Sequence, residues 1–358
     1  MARVLSSALF IVVVFLVLVA VKPKPDIVAL DFTALSNGYA GLLIGLGGFA
    51  ITVLALLLGL EALDADRKGE LHSPKHQAAV RHVAISLAVA SVTCFVGANM
   101  LSEVGAFGES VEKRQAQVRT ELSNHLIASG RTPTEVAAAE TQIDAMLAQQ
   151  PVPEQNVASK ILGAARPNPD RVNTMDGILR SSIRRHFVLG SVAAYLASFL
   201  LLQALSFLLL IRFPNHHKIA ALQNVGVLGI GGMVYIKMIH VASYGMTEKD
   251  FGGSRLLILI LLTVSALGYG FALKRTRARL SDESFLRTYT PLAPYFVSLL
   301  ACLLCMMSLA GTFNNLGPIT GGDRFLAFFL PTISTGMLLV IQLFHPKPTE
   351  NQTAKPLY

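Results

Sequence analysis

The sequence predicts an all-α fold: a polytopic integral membrane helix bundle of about eight transmembrane helices, with a small helical extramembrane domain between spans 3 and 4. Three observations predict it. The chain of 358 residues is 53% hydrophobic and only 15% charged, whereas soluble proteins carry about 25% charged residues. Its apolar residues come in blocks of about 20, the length that crosses hydrocarbon as a helix. One stretch, 102–186, breaks this pattern with returning charges and Gly/Pro punctuation. The chain therefore divides into spans 1–3 (1–101), the helical insertion (102–186), spans 4–8 (187–345) and a polar tail (346–358).

Span 1 covers residues 4–21. Its basic start resembles a signal peptide, but the apolar run is long for one and no A-x-A site precedes Lys22, so it reads as an uncleaved helix stopped by Pro23 and Pro25. Span 2 (38–60) carries Gly41 and Gly45 as a GxxxG, a spacing that lets another helix approach closely. Span 3 (83–101) ends near Asn99 and Glu103, four residues apart and so on one helix face.

The insertion reads as a helical hairpin. Its first arm shows apolar spacing through Val111, Val118, Leu122 and Leu126. Its second arm starts at Thr132-Pro133-Thr134-Glu135, with Thr as N-cap, Pro at the first position and Glu completing a capping box. The basic stretch before span 4, with Arg180, Arg184 and Arg185, reads as an interfacial helix.

Span 4 covers 187–211 and span 5 lies within 214–245. Gly226, Gly229, Met233, Lys237, His240 and Tyr244 fall on one stripe of span 5. Small residues favour helix contact and an ionisable residue avoids lipid, so the stripe is expected to face the bundle interior. Spans 6, 7 and 8 cover 256–273, 291–313 and 325–344. Pro331 is expected to kink span 8, with Ser334 and Thr335 re-satisfying the freed backbone groups.

Lys and Arg in the short loops set the orientation. One side holds thirteen, among them Arg67, Arg212 and the run from Lys274 to Arg287; the other holds five. Both termini are then cytoplasmic and 102–186 is outside, in a membrane read as bacterial and inner. The excess of basic residues, +8 overall, is explained by these loops and by anionic lipid, not by nucleic acid.

Three constellations are candidates for chemistry. In the outer half, Lys237 and His240 lie at the depth of Asn99 and Glu103, with Asp323 and Arg324 crowning spans 7 and 8. Glu103 is the expected partner of Lys237 and Asp323 the second choice, which would give an anion- or proton-handling vestibule. The structural alternative is a lysine that reaches the interface and a His240 held by backbone. His186 and His240 at matched depth are candidate haem ligands, supported by no other motif. The cytoplasmic cluster around His72, His76 and His82 has Pro74 between its first two histidines and reads as a solvated loop. Cys302 and Cys305 form a CxxC with no second pair, so they read as packing residues and no metal ligands are assigned. There is no P-loop, HExxH, GxSxG or EF-hand pattern, which leans away from an enzyme and requires no cofactor.

The favoured reading is a structural or accessory subunit that docks partners, other membrane subunits or copies of itself, through its spans and outer domain. A transporter or channel built on Lys237 and His240 is second. A haem- or quinone-binding membrane enzyme subunit is third.

Overall fold

The computed structural model describes residues 2–20, 32–68, 74–130, 132–135, 137–138, 141, 169–212, 217–243, 248–279, 292–310 and 319–344. Among these, every regular element is helical. In chain order they are α1 (Ala2–Ala20), α2 (Phe32–Lys68), α3 (Pro74–Ala128), α4 (Pro169–Arg212), α5 (His217–Ser243), α6 (Glu248–Arg279), α7 (Ala293–Ala310) and α8. The last is continuous but changes pitch: an α-helical turn Gly321–Arg324, a π-helical stretch Phe325–Phe329 and an α-helical remainder Leu330–Phe344.

Five helices are long and apolar enough to cross a membrane: Thr33–Glu61, Ala79–Ser110, Ser181–Leu209, Phe251–Arg275 and Gly321–Ile341. Three shorter apolar segments, Ala8–Ala20, Leu228–Ser243 and Ala293–Ser308, lie in α1, α5 and α7. The fold is compatible with an integral membrane protein.

The centre is the antiparallel pair α3 and α4, the most extensive helix contact in the molecule. Glycine makes it close. A Cβ on Gly97 would stand 3.2 Å from the Gly190 carbonyl oxygen, and one on Gly190 would stand 2.9 Å from Leu101 Cγ. Leu101, Leu189, Leu196 and Leu200 are buried there, and Ser86 Oγ donates to the Leu200 carbonyl at 2.7 Å. The two helices differ from α2 in kind: 67% of the apolar window of α3 is buried, against 22% for α2.

Several expectations change. Span 3 does not stop near residue 101, because α3 runs unbroken to Ala128. Gly105 and Gly108 do not break it; both face α2, where Asn37 and Thr33 fill the space that side chains would need. Tertiary contact outweighs the weak helix propensity of glycine. The first arm of the insertion is thus the continuation of span 3, rising roughly 27 Å beyond Ser110 at 1.5 Å per residue. Gly130 then takes positive φ (77°) and its N–H bonds to the Ile127 carbonyl, which ends the helix as a left-handed cap. The turn delivers Thr132 as N-cap of the next helix: Thr132 N–H donates to Glu135 Oε2 at 2.9 Å, and Glu135 N–H returns to Thr132 Oγ1 at 3.4 Å. Residues 142–168, the tail 346–358, the polar turn at Asn314 and Asn315, and His72 lie outside the described residues.

Around Pro331 the hydroxyl that serves the helix's own backbone is not one of those expected. The π-helical turn precedes the proline, and Thr332 Oγ1 donates to the Phe328 carbonyl at 2.5 Å. Proline removes one N–H from the ladder, and a hydroxyl four residues on satisfies a neighbouring carbonyl. Ser334 instead reaches across to α7, donating to the Pro294 carbonyl at 3.2 Å. Tyr235 Oη of α5 donates to Thr332 Oγ1 at 2.9 Å, so the irregular part of α8 is tied to two neighbours.

Candidate functional site

One end of the bundle concentrates its charge, and the start of α4 organises it. Arg185 and His186 are consecutive, so on a helix their side chains leave about 100° apart. Each addresses a different partner, and both are buried, at 4% and 3% exposure.

Arg185 turns toward α7 and α8. Its Nε lies 2.8 Å from Asp323 Oδ2, and a terminal guanidinium nitrogen donates to Asp323 Oδ1 at 3.0 Å. The same nitrogen donates to the Ser308 carbonyl at 3.0 Å and to Ser308 Oγ at 2.8 Å. A guanidinium facing a carboxylate through two nitrogens is geometrically specific as well as strong. Ser308 lies in the last turn of α7, whose carbonyls lack helical partners, so Arg185 also caps that helix.

Asp323 is 1% exposed. Beyond Arg185 it receives a hydrogen bond from Ser308 Oγ. It also receives the Thr320 N–H at 2.9 Å and Thr320 Oγ1 at 2.8 Å. Asp323 N–H returns to Thr320 Oγ1, completing a capping box at the start of α8. One carboxylate therefore opens α8, neutralises an arginine of α4 and holds the end of α7. Hydrogen bonds to the remaining polar atoms make a buried charge pair tolerable, and here Ser308 and Thr320 supply them to the carboxylate.

His186 turns toward α3. Its Nε2 lies 3.0 Å from Glu103 Oε2, and its Nδ1 lies 2.8 Å from the Ser182 carbonyl one turn back. Both ring nitrogens face oxygen atoms, one of a side chain and one of the backbone. Asn99 Nδ2 donates to Glu103 Oε1 at 3.4 Å, and Phe107 meets the imidazole edge-on at 5.1 Å between centroids. Glu103 remains 44% exposed, so this pair forms the rim of the cluster and Arg185–Asp323 its floor.

The outer cluster expected from the sequence is thus real in part and differently wired. Asn99, Glu103 and Asp323 do gather at one end. Lys237 does not join them. It is exposed on the outward face of α5, with Met233 (69% exposed) on the same stripe and open space around Gly229. The inward face of α5 is the opposite one, where Tyr235, Met238 and Ile239 are buried. Gly231 and Gly232 meet Phe199 of α4 and Phe10 of α1 there. Glu103 pairs with His186 and Asp323 with Arg185, so neither expected partner serves Lys237. His240 is half-buried, with its carbonyl accepting from Ser243 Oγ at 2.6 Å. Arg324, next to Asp323, is half-buried.

The glycines expected to pack helices do not do so within the described bundle. Among the described residues, a Cβ on Gly41 or Gly45 would meet nothing within 4 Å. On α2 it is Gly47 that meets α3: a Cβ there would stand 3.2 Å from Cys94 Cβ. Of the stripe's other members, Gly226 lies on α5 and Tyr244 is outside the described residues.

The haem arrangement does not fit. Both nitrogens of His186 are engaged by Glu103 and Ser182, which leaves neither for iron. Cys94, Cys302 and Cys305 are free, buried thiols. His82 stacks on Phe207 at 5.4 Å, within the bundle rather than in a solvated loop. Among the described residues no group of three His, Cys, Asp or Glu converges to hold a metal ion.

Sequence reasoning missed Arg185, Ser308 and Thr320. Arg185 was grouped with Arg180 and Arg184 as interfacial, but only its burial distinguishes it: Arg184, one residue away, is exposed. The Thr320–Asp323 box was findable, because Thr-x-x-Asp before an apolar run is a helix-start signature.

No protein family, curated protein or solved structure matches this chain.

Proposed function

We propose that the chain is a subunit of a membrane assembly, built from a self-locked central bundle whose outer helices carry surfaces for other transmembrane segments. The observation that supports it is the glycine face of α2. Gly38, Gly41, Gly45 and Gly48 fall on one side of that helix, and each has open space where a Cβ would stand. Glycine offers little dispersion to lipid tails and weakens a helix, but it lets a second backbone approach. Inside the bundle glycine serves that purpose at Gly97, Gly190 and Gly231; on α2 the same device points away from it.

In this reading eight segments cross the bilayer: the five long apolar helices together with α1, α5 and α7. Both termini are cytoplasmic, and the α3 extension and the rest of 102–186 stand outside. A bacterial inner membrane accords with the loop charges. The subunit reading is preferred to a vestibule because Lys237 is exposed on α5 and Glu103 lies beside His186.

The test is native mass spectrometry of the complex extracted gently from its own membrane, for the parent and for Gly41→Leu/Gly45→Leu. The parent is expected to carry the mass of other polypeptides, or of a second copy. The variant, whose new side chains meet nothing in their own chain, is expected to fold and to arrive bare. A parent without added mass contradicts the reading.

A further inference from the structure

Lys237 poses a separate problem, and its solution rests on the subunit reading. It lies in the apolar helix segment Leu228–Ser243, six residues from the end, or roughly 9 Å at 1.5 Å per residue. It faces away from the bundle. Among the described residues no carboxylate pairs with it: Glu103 is engaged by His186 and Asn99, and Asp323 by Arg185 and Thr320. An ammonium turned toward hydrocarbon is expensive unless something neutralises it.

Its neighbours on the face say what kind of group that is. Gly229, two turns deeper, has open space around it, and Met233 between them is 69% exposed. Glycine permits a close backbone and methionine adapts to an irregular surface. A lipid phosphate would account for Lys237 but would gain nothing from the open glycine beneath it. A helix would use all three.

We propose that the Gly229–Met233–Lys237 face of α5 binds a transmembrane helix of a different polypeptide that carries an Asp or Glu at the depth of Lys237. A second copy of this chain is disfavoured because, of the described carboxylates in the spans at that end, Glu103 and Asp323 are engaged by His186 and Arg185, and Glu109 lies six residues, roughly 9 Å, further along its helix than Glu103, beside Lys113. The glycine lets the partner backbone close in, methionine fills the gap, and the two charges neutralise each other out of water. Charge matching of this kind selects partner and register together.

The experiment is carbodiimide coupling in native membranes with dicyclohexylcarbodiimide, a reagent that enters hydrocarbon. It activates a carboxylate, the lysine amine displaces the urea, and an isopeptide bond records a contacting pair. The expected product joins Lys237 Nζ to an Asp or Glu within an apolar segment of another polypeptide, and is absent from Lys237→Met. In the same variant, recovery of that polypeptide is expected to fall at least about tenfold, the size that follows from leaving a buried carboxylate unpaired. If other polypeptides are present but Lys237 couples to none of them, or Lys237→Met retains them at parental yield, this inference is overturned while the subunit reading stands. A bare parental chain overturns both. Coupling to a carboxylate of a second copy overturns the choice of partner.

Discussion

Arg185 and Lys237 are both basic residues inside apolar helices, and the fold treats them in opposite ways. Arg185 is 4% exposed, and its guanidinium joins three helices through Asp323 and Ser308. Lys237 stands exposed on the outside of α5, and among the described residues no carboxylate forms an ion pair with it. Charge inside a membrane span therefore does not say which way a helix turns. The supply of a matched carboxylate with its other hydrogen bonds satisfied decides it, together with the small residues that let helices close. Arginine suits the inner role because its planar fork meets a carboxylate through two nitrogens. Lysine, a single charge on a flexible stem, suits a surface where the partner arrives separately.

The largest effect is expected where the inner charge is left alone. Asp323→Ala strands the buried guanidinium and removes the capping box of α8, and should destabilise the purified chain by about 3–5 kcal/mol. Thermal unfolding in detergent checks it. The paired replacement Arg185→Met/Asp323→Leu should recover much of the loss, since two apolar residues leave no unpaired charge behind.

The two classes of glycine give the next contrast. Gly190→Leu drives a side chain into Leu101 and Met100 of α3, and should lower stability by at least about 1–3 kcal/mol. At Gly41 a Cβ would meet no described residue within 4 Å, so Gly41→Leu should leave the stability of the purified protein within about 0.5 kcal/mol of the parent. Equal losses at both positions would mean that α2 packs differently from this description.

Smaller again is Glu103→Gln. It keeps a side chain for Asn99 but loses the charge facing His186. Because Glu103 is 44% exposed, water offsets part of the loss, and about 1 kcal/mol is expected. A loss as large as that of Asp323→Ala would move the centre of the cluster from Arg185 to His186.

The contrast also shows what the sequence could reveal. Block length and low charge were enough for a helical chain with several helices long and apolar enough to cross a membrane, and the Thr132 capping box was legible because its residues interact locally. The gathering of Asn99, Glu103 and Asp323 at one end followed from span order alone. Their partners did not, since Arg185–Asp323 joins residues 138 apart in the chain. The facing of α5 was illegible for a physical reason: its apolar residues are spread almost evenly around the helix, and glycines lie on both sides, at Gly229 and at Gly231 and Gly232. With no polar face to oppose an apolar one, a lone lysine gives the only directional signal, and the inference that ionisable residues turn inward holds only when a partner waits inside the same chain.

The most direct test of the inside–outside account is the melting temperature of the purified chain, stripped of other polypeptides, as Arg185→Met and as Lys237→Met. The account predicts a fall of several degrees for Arg185→Met, because Asp323 is left buried without its cation, and no change for Lys237→Met. A comparable fall for Lys237→Met would place that lysine inside the bundle and contradict the account.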